Sequence, residues 1–224
     1  MREELDPALV CGLVSDAARM GYQVISVSGG EPFLYTGLVE VLQHAKKLGL
    51  RTTVTTNGYF LEPRRLAALR GCLDILAVSL DGPPESHNRL RGSPKAFERL
   101  CSGLKNLQES SLNFGFIHTL TCDTWEQLAW VAEFAAENGA RLLQLHPLEM
   151  SGRATPVLAS LSAPDEALAK AYLLAFALAE KYHDSMLIQV DLLRRKRAGA
   201  VSAELNYAIG STINGIAAGL HNTG

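Results

Sequence analysis

Five short segments of this chain end in side chains able to bind or orient a ligand, and they recur at regular intervals. They are Ser28-Gly29-Gly30-Glu31, Thr55-Thr56-Asn57-Gly58, Ser79-Leu80-Asp81-Gly82, His118-Thr119-Leu120-Thr121 and Gln144-Leu145-His146-Pro147. The first is the most specific. Adjacent glycines carry no Cβ, so the backbone there can turn sharply and approach a ligand closely. Glu31 then offers a carboxylate, and Pro32 stiffens the exit by fixing φ. A bland reading stands beside each of these. Gly29-Gly30 also suits an ordinary strand-to-helix turn, and Ser79 and Asn57 suit plain turn chemistry. His118 and His146 suit interior histidines with satisfied partners, and His87 and Arg91 suit loop anchoring better than catalysis.

The elements that must position these groups follow from periodicity. Apolar or β-branched runs predict strands at Gln23–Ser28, Arg51–Thr56, Leu73–Leu80, Asn113–Leu120, Arg141–His146 and Met186–Val190. Helical spacing predicts helices at Leu9–Met20, Gly37–Leu48, Arg64–Arg70, Pro94–Gln108, Thr124–Asn138 and Glu166–Lys181, with Asp123 as an N-cap of the fifth. Such alternation predicts an α/β fold of parallel strands joined by right-handed helical crossovers. A sheet with helices on one side, curling into a partial parallel βα barrel, fits five or six such units. A doubly wound open sheet competes, and periodicity does not separate the two. In either, ligands bind at the carboxyl ends of the strands, where the five polar segments lie. The expected pocket is lined by Gly30, Glu31, Asn57, Ser79 and His146.

Composition narrows the function classes. The 224 residues suit one domain with a substantial core. A net charge of −2 gives no electrostatic footprint for nucleic acid. No apolar run reaches the roughly 18–20 residues of a membrane span, and the charged start is unlike a signal peptide; a cytoplasmic location follows. The four cysteines, Cys11, Cys72, Cys101 and Cys122, are scattered and read as reduced thiols rather than as a ligand set. From Leu192 to Gly224 the rhythm breaks, beginning at the basic run Arg194–Arg197. The expected organisation is a βα unit over 1–191 and a tail over 192–224.

In order and spacing, the Gly-Gly-Glu-Pro segment, the Thr56-Asn57-Gly58 triplet, Ser79-Leu80-Asp81-Gly82 and the element His87-Asn88-Arg89-Leu90-Arg91-Gly92 resemble the core of the radical S-adenosylmethionine superfamily. The run from Ser79 to His87 resembles the subgroup that matures peptides and cofactors, including relatives of pyrroloquinoline quinone and haem d1 biosynthesis proteins. The resemblance spans roughly Leu5 to Ala154. It implies that Gly29, Gly30 and Glu31, followed by Pro32, contact the methionine end of S-adenosylmethionine. It also implies that Ser79 bonds the ribose or carboxylate, that Thr56 and Asn57 lie near ligand or substrate, that Asp81 supports its loop, and that His146 falls beside the adenine. The implied activity is reductive cleavage of the cofactor to a 5′-deoxyadenosyl radical that acts on a peptide or tetrapyrrole-type substrate.

The family holds a [4Fe–4S] cluster on a CxxxCxxC loop after its first strand, upstream of the helix that here begins near Asp6. Thiolates are what such clusters require, and the cysteines of this chain do not form that motif. The resemblance therefore implies a family member without cluster ligands in this chain: a fragment, a truncated reading frame or a degenerate paralogue, inactive as this polypeptide. Three further expectations follow. The strand ending at Ser28 lies at an open edge, the chain holds no stable iron–sulfur cluster, and its affinity for S-adenosylmethionine is weak. A non-catalytic nucleotide- or substrate-binding βα domain is the competing function, and the oligomeric state stays open.

Overall fold

The chain is described by a computed structural model, which covers residues 4–148 and 161–190. Helix α1 (Pro7–Arg19) starts where Asp6 accepts from the Ala8 amide at 2.9 Å and Pro7 supplies a preset φ. It leads into β1 (Val24–Val27). A single 3-10 turn (Pro32–Leu34) precedes α2 (Leu38–Lys47), β2 (Arg51–Thr56), α3 (Pro63–Ala68) and β3 (Ile75–Ser79). Then come α4 (Pro84–Leu90), α5 (Ala96–Glu109), β4 (Phe114–Leu120), a second 3-10 turn (Trp125–Gln127) and α6 (Leu128–Glu137). Finally β5 (Leu142–Pro147) is followed, beyond the break, by α7 (Asp165–Tyr182) and β6 (Leu187–Val190).

The six strands are all parallel and lie in the order β1-β2-β3-β4-β5-β6. This order selects the partial barrel over the doubly wound sheet. Right-handed crossovers that always step in one direction put every helix on the same face, whereas a doubly wound sheet reverses direction midway. Among the described residues β1 has a neighbour on one side only.

Register then sorts the side chains into two faces. Val54, Leu76, Val78, Phe116 and Leu143 share the face under the helices and are fully buried, joined by helical residues such as Leu42, Leu66, Leu104 and Ala135. The alternate face is more polar. Thr55, Ala77, Ser79, Ile117, Gln144, His146 and Gln189 belong to the helix-free, concave face.

Three local expectations differ from the structure. The segment holding His87 is helical, because Pro84 at the first position presets a helix that the short spacing had hidden. The helix expected from Pro94 begins at Ala96. Asp123 does not cap the helix that follows β4: the Thr121 hydroxyl accepts from the Asp123 and Thr124 amides at 3.3 and 3.1 Å, and α6 proper starts only at Leu128. The Thr121 carbonyl also accepts from the Trp125 amide at 3.3 Å, so this turn is closed from Thr121 rather than from Asp123. The expected tail at 192–224 lies outside the described residues.

Candidate functional site at the carboxyl rim

The loop after β1 is built around Glu31. Its Oε1 accepts from the Phe33 amide at 3.1 Å and from the Thr56 hydroxyl at 2.8 Å, and its Oε2 accepts from the Asn57 amide at 2.9 Å. One side chain thus starts the 3-10 turn and ties the end of β1 to the end of β2. Three of the carboxylate's roughly four acceptor positions are filled by the chain itself. Thr56 is buried on the helix side, where it also accepts from the Gly58 amide. Asn57 makes an Asx turn, accepting from the Tyr59 amide at 2.8 Å, so turn chemistry is part of its role.

Gly29 and Gly30 face open space. Gly29 has φ +126, a conformation that L side chains rarely adopt, and a Cβ built on either glycine meets nothing within 4 Å. Both are exposed, whereas Pro32 beside them is buried. Backbone held rigidly by Glu31 is thereby presented to a vacant approach.

The loop after β3 is held by a charge cluster. Asp81 is only 5% exposed, and Arg91 donates to it from Nε at 2.6 Å and from a terminal nitrogen at 3.1 Å. His87 Nδ1 lies 3.2 Å from the Asp81 amide and 3.3 Å from its carboxylate; it accepts from the first in one tautomer and donates to the second in the other. Burial pushes the Asp81 carboxyl up, but the bond with His87 and the Arg91 charge outweigh it and hold it below its ordinary value. His87 and Arg91 are four residues apart, on α4 and at its C-cap, so a single helical turn delivers both to one carboxylate. This is anchoring geometry, and Asp81 supports its loop.

The two remaining histidines part company. His118 is fully buried on the helix side; its Nδ1 lies 2.9 Å from the Leu80 carbonyl, its Nε2 has no hydrogen-bond partner, and burial lowers its pKa. His146 is half-buried on the concave face, paired in register with Thr119. Ser79, also half-buried, pairs with Ile117 on the same face. The structure therefore collects Gly29, Gly30, Asn57, Ser79 and His146 at the rim or concave face, and places Glu31, Thr56 and Asp81 beneath them as supports. The sequence reading missed Thr53 and Gln189, and named Thr55 and Gln144 among the strand ends without assigning them to the pocket; all four share the concave face. Strand alternation was their signal, but β2 has threonine on both faces and gives no polarity contrast.

A cleft of about 340 Å³ opens elsewhere, beside Phe33, Tyr35, Leu38, Arg65 and Leu69 in the helix layer, and no candidate residue lines it. None of the four cysteines is in a disulfide, and they occupy α1, the approach to β3, α5 and the loop after β4. Among the described residues no group of three or more His, Cys, Asp or Glu could hold a metal ion, so these residues do not fit an iron–sulfur cluster. No described helix is long and apolar enough to cross a membrane.

Known proteins share this architecture. An AdoMet-dependent heme synthase of Methanosarcina barkeri is 32% identical over 142 residues, covering 62% of this chain and 41% of that protein. A PqqA peptide cyclase of Ruegeria pomeroyi is 31% identical over 154 residues, covering 68% and 41%. The chain thus spans about two-fifths of the curated relatives it matches. Streptococcus suis SuiB bound to S-adenosylmethionine superposes with a TM-score of 0.68 at 16% identity, over 85% of this chain and 45% of that one, which establishes likeness of fold. A phosphoenolpyruvate carboxylase model matches residues 149–224, a third of the chain that includes α7 and β6. The radical SAM superfamily model matches residues 2–135, more than half of the chain and all of the rim from β1 to β4. With the Gly-Gly-Glu-Pro turn and the anchored Asp81 loop in place on a six-stranded parallel sheet, the chain belongs to the radical SAM superfamily.

Proposed function

We propose that the carboxyl rim of this sheet is the S-adenosylmethionine-binding side of a peptide- or cofactor-maturing radical SAM protein, with a peptide or tetrapyrrole-type molecule as substrate of the complete form. The observation that carries this reading is the open backbone of Gly29 and Gly30 above a fully engaged Glu31. The glycine amides and carbonyls meet the amino and carboxylate groups of the methionine moiety, where a Cβ would stand in the way. Glu31 acts mainly by fixing that turn against Asn57, and Asp81 by fixing the loop that carries Ser79. Ser79 and Asn57 supply polar contacts to the sugar or carboxylate, and His146 closes the far side beside the adenine. S-adenosylmethionine supplies, in this family, the 5′-deoxyadenosyl group whose radical abstracts hydrogen from substrate.

The heme synthase and peptide cyclase relatives support the substrate class. The βα unit runs to about residue 191 in this reading, because β6 pairs with β5 from Leu142 to Leu145. Four cysteines outside disulfides suit a reducing, cytoplasmic setting.

The test is an amide-resolved titration of the full chain with S-adenosylmethionine. Without cluster iron to chelate the methionine end, affinity is expected near the millimolar range, about 4 kcal/mol. Shifts should concentrate at Gly29, Gly30, Asn57 and Ser79 and vanish in Gly30→Val. Shifts confined to other residues, or unchanged by Gly30→Val, would overturn the assignment.

A further inference from the structure

One row of the parallel register crosses the concave face without a break. Ser79 on β3 pairs with Ile117 on β4, Ile117 with Gln144 on β5, and Gln144 with Gln189 on β6. At about 4.8 Å per strand, the two glutamines stand roughly 10 and 14 Å from Ser79. Gln144 also lies two residues, about 7 Å, below His146 on the same strand. Both glutamines are half-buried, and the buried Leu143, Leu145 and Ile188 beside them fix their strands from the opposite face. Among the described residues neither glutamine side chain has a hydrogen-bond partner. On the helix side, by contrast, Thr52, Thr56, Asp81 and Thr124 are all bonded within the chain.

The concave face carries little charge. Among the described strand residues, the one lysine or arginine that alternation puts there is Arg51, at the amino end of β2. It lies six residues, about 20 Å, below the level of the Ser79 row. The two arginines that follow β3 are engaged, Arg91 with Asp81 and Arg89 with Asp123.

We propose that Gln144 and Gln189 determine substrate specificity by holding an uncharged amide group of a peptide rather than a carboxylate. The proposal rests on the assignment of the rim to S-adenosylmethionine, which puts the cofactor at the Ser79 end of the row and the substrate at the glutamine end. Each carboxamide offers two N–H donors and a carbonyl acceptor. A peptide bond presents the same two functions in reverse, so carboxamides on neighbouring strands satisfy both its N–H and its carbonyl. A carboxylate accepts only, and leaves the glutamine carbonyls unpaired. Its charge would also leave water with no cation opposite it, which is a costly transfer. Tetrapyrrole-type substrates present several such carboxylates. Of the two substrate classes proposed above, the face is therefore matched to the peptide.

Amide-resolved titrations of the full chain, following backbone and glutamine side-chain signals, test this with two probes. One is an end-capped, uncharged peptide of glycine, serine and asparagine; the other is coproporphyrin III, a carboxylate-bearing tetrapyrrole. In the presence of S-adenosylmethionine the peptide should shift the side-chain signals of Gln144 and Gln189, and coproporphyrin III should leave both unmoved. Gln144→Leu and Gln189→Leu should each weaken peptide binding about two- to tenfold, the loss expected for neutral hydrogen bonds. Both variants should keep the S-adenosylmethionine shifts at Gly29 and Gly30, which also reports that they are folded. No response to peptide at either glutamine, unchanged peptide affinity in both leucine variants, or porphyrin shifts at the pair would each overturn the proposal. The two readings fail separately. S-adenosylmethionine shifts away from Gly29 and Gly30, with the peptide still sensed by the glutamines, would overturn the cofactor assignment while supporting the amide-binding pair.

Discussion

Removing Arg91 isolates the clamp on the loop after β3. Arg91→Ala deletes two charge-assisted hydrogen bonds, at 2.6 and 3.1 Å, from a carboxylate that is 5% exposed. Bonds to charged groups contribute about 1.5–3 kcal/mol each, and stranding one member of a buried pair costs about 3–5 kcal/mol. Two features soften the loss. Arg91 itself is 27% exposed, so its removal admits water, and His87 remains 3.3 Å from the carboxylate. The expected destabilisation is about 2–4 kcal/mol at neutral pH, or roughly 5–15 °C in Tm for a chain of this size. Arg91→Lys keeps the charge but loses the two-pronged geometry, and should lose about half as much.

The pH dependence gives the sign. In the intact protein the folded Asp81 pKa lies below the ordinary carboxylate value, so its contribution is complete above the unfolded pKa and fades as pH falls through the folded one. In Arg91→Ala burial is opposed only by His87, the folded pKa rises, and protonation relieves the stranded charge. The gap between the two proteins should therefore narrow as pH is lowered from 7 toward 4. Urea unfolding at several pH values measures this. A neutral-pH difference within about 0.5 kcal/mol, the level of an ordinary surface substitution, would refute the clamp.

Glu31→Gln leaves one acceptor oxygen for three donors and turns an amide NH2 toward at least one of them; about 1–3 kcal/mol of stability should be lost in urea titration. Gly115→Ala would place a Cβ 2.4 Å from the Leu142 carbonyl oxygen, forcing β4 and β5 apart at a cost of about 3 kcal/mol. Gly30→Ala meets nothing and should change stability by less than about 0.5 kcal/mol, so thermal melts of this pair check the packing directly. Anaerobic reconstitution with iron and sulfide should leave this chain well short of one [4Fe–4S] cluster; a full complement that disappears in Cys11→Ala would show a thiolate site missed in α1.

Much of this molecule is legible in its sequence, because local periodicity reports local geometry. Runs such as Val24-Ile25-Ser26-Val27 and Phe114–Leu120, alternating with helical spacing, define parallel strands and crossovers and put the polar strand ends on one rim. The turn chemistry of Gly29-Gly30 and Asn57 is likewise written in the residue types. Tertiary structure decides what depends on contacts between distant residues. The strand order, and with it one helical face rather than two, is set by which neighbours pair. Glu31 reaches 25 and 26 residues ahead to Thr56 and Asn57, and so becomes a support for the glycine turn. His118 and His146 look alike in sequence, yet one is sealed under the helices and the other stands on the concave face. The pleat turns successive residues to opposite faces, but only the packed helix layer determines which face is buried.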